Sequence, residues 1–103
     1  MQGVPYVYGG ASPSGFDCSG LVYWAAGQLG ISLPRDTYEM LAGSPHLIAV
    51  SSPQPGDLAF FGTGHVELYV SSGRFFGAQQ PGTVVGFHDY GAYYVPSQYF
   101  RLV

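Results

Sequence analysis

The sequence predicts an α+β fold in which helices come first and antiparallel strands follow. Apolar residues recur at helical spacing only between Cys18 and Ala42. After Ser51 the chain changes to short apolar or alternating runs broken by Gly, Pro and Ser. With 103 residues, 47% hydrophobic and 17% aromatic, residues 1–103 are expected to form one domain around one core.

The first stretch, Gly3 to Phe16, is dense in Gly, Pro, Tyr and Ser and reads as a loop with a short extended piece. Leu21, Val22, Ala25, Ala26 and Leu29 fall on one helical stripe, which predicts a helix from Cys18 to Leu29. Asp17 or Ser19 can cap its start, and Gly30 suits its end. A second, short helix is expected from Pro34 to Ala42, with Asp36 or Thr37 near its start and Gly43 behind it. Pro53, Pro55, Gly56 and Asp57 then make a turn into a strand from Leu58 to Phe61, so Asp57 reads as a turn former and not as a catalytic acid. His65 to Val70 and Arg74 to Gln79 form a hairpin around Ser71, Ser72 and Gly73, with Gly73 in the left-handed position. Thr83 to Phe87 is a further strand, Tyr90 to Gln98 an aromatic-rich connection, and Tyr99 to Val103 an edge strand. The tyrosines 90, 93, 94 and 99 are expected to cover the core or an edge and are assigned no binding role.

Composition excludes several functions. Three Arg, no Lys and six acidic residues give a net charge of −3, which cannot neutralise a run of phosphates, so nucleic acid is not an expected partner. No apolar run approaches the ~18 residues of a membrane helix, and the first residues lack the pattern of a signal peptide. One cysteine and three scattered histidines do not make a sulfur-rich zinc site, and no metal or other cofactor is expected.

A single cysteine is a buried filler, an intermolecular link or a reactive thiol. Cys18 falls in the first turn of the predicted helix, where free backbone amides favour thiolate over thiol. Its neighbours Asp17, Ser19 and Gly20 are polar or small and suit an approached site. A thiol nucleophile needs a base. His46, in a Ser-Pro-His loop, and His88, among tyrosines, read as surface or structural residues. His65 follows Gly64 and opens a strand, which is a rigid mount. If Val70 pairs with Arg74, Glu67 lies opposite Gly77 and His65 opposite Gln79, and all four share a face. Gln79 is therefore the first candidate to orient His65, and Glu67, the only carboxylate near it, the second.

Four segments carry a resemblance: Pro5-Tyr6-Val7-Tyr8-Gly9-Gly10, Phe16-Asp17-Cys18-Ser19-Gly20-Leu21-Val22, Pro55-Gly56-Asp57-Leu58 and Gly64-His65-Val66. Their order and spacing over nearly the whole chain resemble the NlpC-type family of papain-like bacterial cell-wall peptidases. The resemblance implies a papain-like fold, with the cysteine at a helix N-terminus packed on an antiparallel sheet. It also implies a thiol hydrolase in which Cys18 attacks a peptide carbonyl and His65 takes and returns the proton. The substrate would be the peptide stems of peptidoglycan, cut between γ-D-glutamate and a diamino acid. Tyr6, Asp17 and Ser19 would line the cleft, the latter two receiving a free amino group of the stem.

Two features depart from the family pattern. The third catalytic position aligns with Gly77, which has no side chain, so the orienting role must move, to Gln79 or else Glu67, or be missing. The pair Glu67 and Gly77 reads as a cross-strand exchange of polar and small residues. Only Met1 and Gln2 precede the Gly3-Val4-Pro5-Tyr6 segment, where the family has a helix, so a longer protein with further wall-binding or anchoring domains is expected. The expected setting is the cell wall outside the cell, or a phage, and the expected state a monomer. Two rival readings are a non-catalytic peptidoglycan-binding module of the same fold and a cysteine amidase or toxin acting on another amide.

Overall fold

The computed structural model describes residues 2–43, 45–90 and 94–102. The elements run β1 (Ala11–Ser12), β2 (Gly15–Phe16), α1 (Cys18–Gln28), α2 (Thr37–Ala42), β3 (Leu47–Val50), β4 (Leu58–Phe61), β5 (His65–Ser71), β6 (Arg74–Gly77), β7 (Gly86–Asp89) and β8 (Gln98–Leu102). β1 and β2 form a small antiparallel pair. The other six strands form one antiparallel sheet in the order β3-β8-β4-β5-β6-β7. Helices precede the main sheet, as the α+β pattern predicts.

Asp17 has extended backbone and caps α1 by accepting from Gly20 N at 2.6 Å. Gly20 is required here, because a Cβ at that position would meet the carbonyl oxygen of Gly10 at 1.9 Å. The loop before α1 therefore lies directly on the helix, and the thiol of Cys18 sits at their junction. Leu21, Val22 and Ala26 of the predicted stripe are buried. Leu29 is 71% exposed, because the helix ends at Gln28 and Leu29 is its C-cap. The second helix starts at Thr37 and not at Pro34, since Asp36 takes the cap position and accepts from Glu39 N at 2.9 Å.

Residues alternate between the two faces of the sheet. On the face toward α1, Leu58, Phe60 and Val66 pack with Val22, Ala26, Leu33, Met40 and Leu47. On the reverse face, Ala59, Phe61 and Phe75 pack with Tyr69, Tyr90 and Tyr99. A third cluster of Phe16, Leu21, Ala78 and Val85 joins the N-terminal loop to the helix and the sheet.

Three strand expectations are corrected. The hairpin closes with Ser71 opposite Arg74 rather than Val70 opposite Arg74, and a bulge between Tyr69 and Ser71 absorbs the difference. Tyr69↔Phe75 and Leu68↔Phe76 then restore the expected register. Gly73 takes the left-handed conformation at φ 77°. The strand expected at Thr83 to Phe87 instead covers Gly86–Asp89, because Thr83 is held in a turn on Gln80 and Val85 bonds to the N-terminal segment at Val4. The last strand is not at the edge. β8 lies between β3 and β4, with Phe100 and Leu102 packed toward the helices and Tyr99 toward the aromatic face, and the unpredicted β3 takes the edge. Val103, at the end of the expected strand, and Tyr93, among the expected cover, lie outside the described residues. Asp57 is the turn residue expected, and its carboxylate also accepts two hydrogen bonds of 2.9 Å from Arg101 on β8, which ties the turn to the sheet.

Candidate active site

Cys18 opens α1 and His65 opens β5, and the fold brings these two element ends together. The thiol points at the carbonyl of Gly64, 3.9 Å away, and lies near enough to the His65 ring to act on its charge. His65 Nε2 lies 2.8 Å from Glu67 Oε2. As the carboxylate can only accept, Nε2 carries a proton and Nδ1 is left for the thiol.

The arrangement sets the charge of the ring. Burial opposes the imidazolium, but hydrogen bonds to Cys18 and Glu67, with the negative charge of both, push His65 up to about 9. The ring is then an imidazolium at neutral pH, a proton donor held beside the sulfur.

Glu67 is fully buried, yet every part of its carboxylate is used. Oε2 accepts from His65 and from the hydroxyl of Tyr90, and Oε1 accepts from His88 Nδ1 at 2.5 Å. Burial alone would raise its pKa. The bonds from His65, Tyr90 and His88 and the charge of His88 outweigh that and hold it below the usual carboxylate range. Burial and the bond to Glu67 push the Tyr90 phenol well up, so it stays a donor.

Gln79 does not do what the sequence assigned to it first. β6 ends at Gly77, so Gln79 leaves the ladder, and its amide donates to the Tyr90 hydroxyl at 3.1 Å. It stands behind Glu67 through Tyr90 and makes no hydrogen bond to His65. Glu67, the second candidate, holds the ring. The expected pairing of Glu67 with Gly77 is present, since a Cβ on Gly77 would come within 2.9 Å of Glu67 Cγ. His88, read from sequence as surface or structural, is the main residue that reading missed. Placing β7 three residues too early hid it. With Phe75↔His88 and Gly77↔Gly86, His88 shares the face of Glu67.

Tyr6, Asp17 and Ser19 line a depression of about 470 Å³ beside Cys18, with Arg35, Asp36 and Thr37 on the same wall. A smaller depression of about 360 Å³, lined by Gly64, His65, Gln79, Gln80 and Tyr94, shares Gly64 with the first. The acceptors expected to meet an incoming amino group are largely taken. Asp17 caps α1, accepts from Gly9 N at 3.0 Å and is paired with Arg35 at 3.1 Å, while Arg35 also donates to Ser19 and to the carbonyl of Gly10. Arg35 was not foreseen, because nothing in the sequence links it to a cap 18 residues away. Among the described residues, no group of three or more His, Cys, Asp or Glu side chains is placed to hold a metal ion. Among them, too, no helix is long and apolar enough to cross a membrane.

A family profile described as the NlpC/P60 family matches residues 3–103. A probable endopeptidase of Mycobacterium tuberculosis is 47% identical over 73 residues, which cover 69% of this chain and 19% of that protein. A gamma-DL-glutamyl hydrolase of Bacillus subtilis is 43% identical over 86 residues, covering 76% of this chain and 21% of that protein. The chain thus spans about a fifth of the length of these relatives. The crystal structure of the NlpC/p60 domain of the peptidoglycan hydrolase SagA superposes with a TM-score of 0.81 at 34% identity, over 95% of this chain and 86% of that one.

Proposed function

Since the chain belongs to the NlpC/P60 family of peptidoglycan endopeptidases, we propose that it is a cysteine-type member that cuts the stem peptides of peptidoglycan between γ-D-glutamate and the following diamino acid. The observation that carries this reading is the line from Cys18 through His65 to a buried, fully hydrogen-bonded Glu67. The choice of bond draws on the name of the Bacillus relative, a gamma-DL-glutamyl hydrolase. By the same reading the protein acts at the cell wall.

In this mechanism the Cys18 thiolate attacks the γ-carbonyl, and the His65 imidazolium gives its Nδ1 proton to the departing amine. The resulting thioester is hydrolysed by a water whose proton returns to Nδ1. Glu67 keeps the proton on Nε2 and the ring in line throughout. The substrate stem lies across the two depressions that share Gly64. A binding-only role fits poorly, because a decayed site has no reason to keep a buried carboxylate aimed at the histidine.

The test is to incubate the protein and Cys18→Ala with muropeptides carrying γ-D-glutamyl-diaminopimelate stems and to read the products by mass spectrometry. We expect one new pair of products, split after D-glutamate and absent with Cys18→Ala. Equal cleavage by both forms, or none by either, overturns the proposal. The pH profile adds a second check. His65 is raised to about 9 and must be protonated to serve the leaving amine, so kcat/KM should hold through neutral pH and fall as pH rises through about 9. An alkaline limb near 6.5, the ordinary histidine value, would contradict the raised His65.

A further inference from the structure

The carboxylate on His65 is itself held from a second strand, by a second imidazole. β5, β6 and β7 are neighbours, and their registers put Glu67, Gly77 and Gly86 in one row across the sheet, with His88 two residues along from Gly86 on the same face. A side chain at position 77 would stand between β5 and β7 and fill the space that Glu67 Cγ occupies. Because residue 77 is glycine, Glu67 leans across β6 and meets His88 Nδ1 at 2.5 Å. The His88 side chain is only 15% exposed and its ring is stacked on Tyr90 at 5.7 Å. Each carboxylate oxygen of Glu67 therefore faces one imidazole: Oε2 faces His65 and Oε1 faces His88.

We propose that His88 is a positioning residue of the Cys18–His65–Glu67 site. By donating to Oε1 it fixes the rotamer of Glu67 and so aims Oε2 at His65. The open row at Gly77 is what lets a residue two strands away from β5 do this. Three consequences follow from the donor chemistry. His88 must carry a proton on Nδ1. A side chain that keeps a donor at the position of Nδ1, as the amide of asparagine does, should keep most of the function. A side chain with no donor should lose it, and should lose nothing further once Glu67 is gone.

This inference rests on the proposed catalytic reading, so its experiment has one arm that needs no peptidoglycan. For the protein and for His88→Leu, His88→Asn, Glu67→Ala and the double variant Glu67→Ala/His88→Leu, one measures kcat and KM on the stem peptide and the rate of Cys18 alkylation by iodoacetamide. We expect His88→Leu to lower kcat by about 10- to 100-fold with KM nearly unchanged, in the range that loss of one hydrogen bond to a buried charge produces. His88→Asn should recover most of that loss. His88→Leu should add no further loss in the Glu67→Ala background, and the alkylation rates should follow the same order. An unchanged rate in His88→Leu overturns the proposal. So does an equal loss with and without Glu67, which would mean that His88 supports the fold and not the carboxylate. If the variants do not fold, the ring nitrogens of His88 in the unmodified protein can be read by NMR, where an unprotonated Nδ1 overturns the proposal and a protonated one supports it. Alkylation that depends on His88 in a protein that cuts no stem peptide would overturn the peptidase reading alone.

Discussion

The two faces of the main sheet are made from alternate residues of the same strands, yet they are built on different chemistry. Toward α1, Leu58, Phe60 and Val66 are fully buried among aliphatic and aromatic neighbours. On the reverse face the same strands present Ala59, Phe61 and Phe75 around Glu67, an acid with no exposed surface. The first face is stable because apolar area leaves water. The second survives because each charge and donor on it has a partner, and among the described residues no buried side-chain nitrogen or oxygen lacks one. The comparison teaches that a sheet can keep an apolar core on one side and a satisfied polar network on the other. A two-residue repeat is enough to separate them.

That separation can be broken or sharpened by substitution on each face. The largest effect is expected from Glu67→Ala, which leaves His65 without its orienting partner and should lower kcat by about 10²- to 10⁴-fold, judged by the worth of orienting residues in triads. Circular dichroism would verify that the variant is folded, and a loss below tenfold in a folded variant would remove Glu67 from the mechanism. Leu58→Ala, on the helix-facing side, should act the other way. It opens a cavity costing about 2–5 kcal/mol by denaturant titration, while kcat of the folded fraction stays within a few-fold. A large fall in kcat there would show that the faces are coupled. The smallest effect belongs to Gln79→Ala. It removes one neutral hydrogen bond to Tyr90, a net ~0.5–1.5 kcal/mol, and should slow turnover less than tenfold. A loss as large as that of Glu67→Ala would return the orienting role to Gln79.

Much of this was legible in the chain itself. The helix from Cys18, the strand Leu58–Phe61 and the hairpin after His65 follow from periodicity and turn chemistry, which depend on neighbours a few residues apart. The pairing of Glu67 with Gly77 also followed, because a short hairpin loop sets its own register even when a bulge intervenes. Cys18 and His65 stood out because few residues of their kind exist in the chain. Local signals failed where distant segments decide. The N-terminal segment captures Val85 and shifts β7 toward Asp89, β3 takes the edge and turns β8 into an interior strand, and Arg35 finds Asp17 across 18 residues.

The sequence by itself thus determined the class of fold, singled out Cys18 and His65 as the candidate nucleophile and base, and placed Gly77 opposite Glu67. Only the tertiary structure decided which polar side chain hydrogen-bonds to His65. Register favoured Gln79, which it set opposite His65, but the strand stops at Gly77 and Gln79 leaves the ladder, while the donors of His88 and Tyr90 hold Glu67 in place. The physical reason is that a buried carboxylate is stable only where several donors converge on it. That convergence brings His65 on β5, His88 on β7 and Tyr90 just beyond it onto one carboxylate, and the local pattern had placed β7 too early to show it.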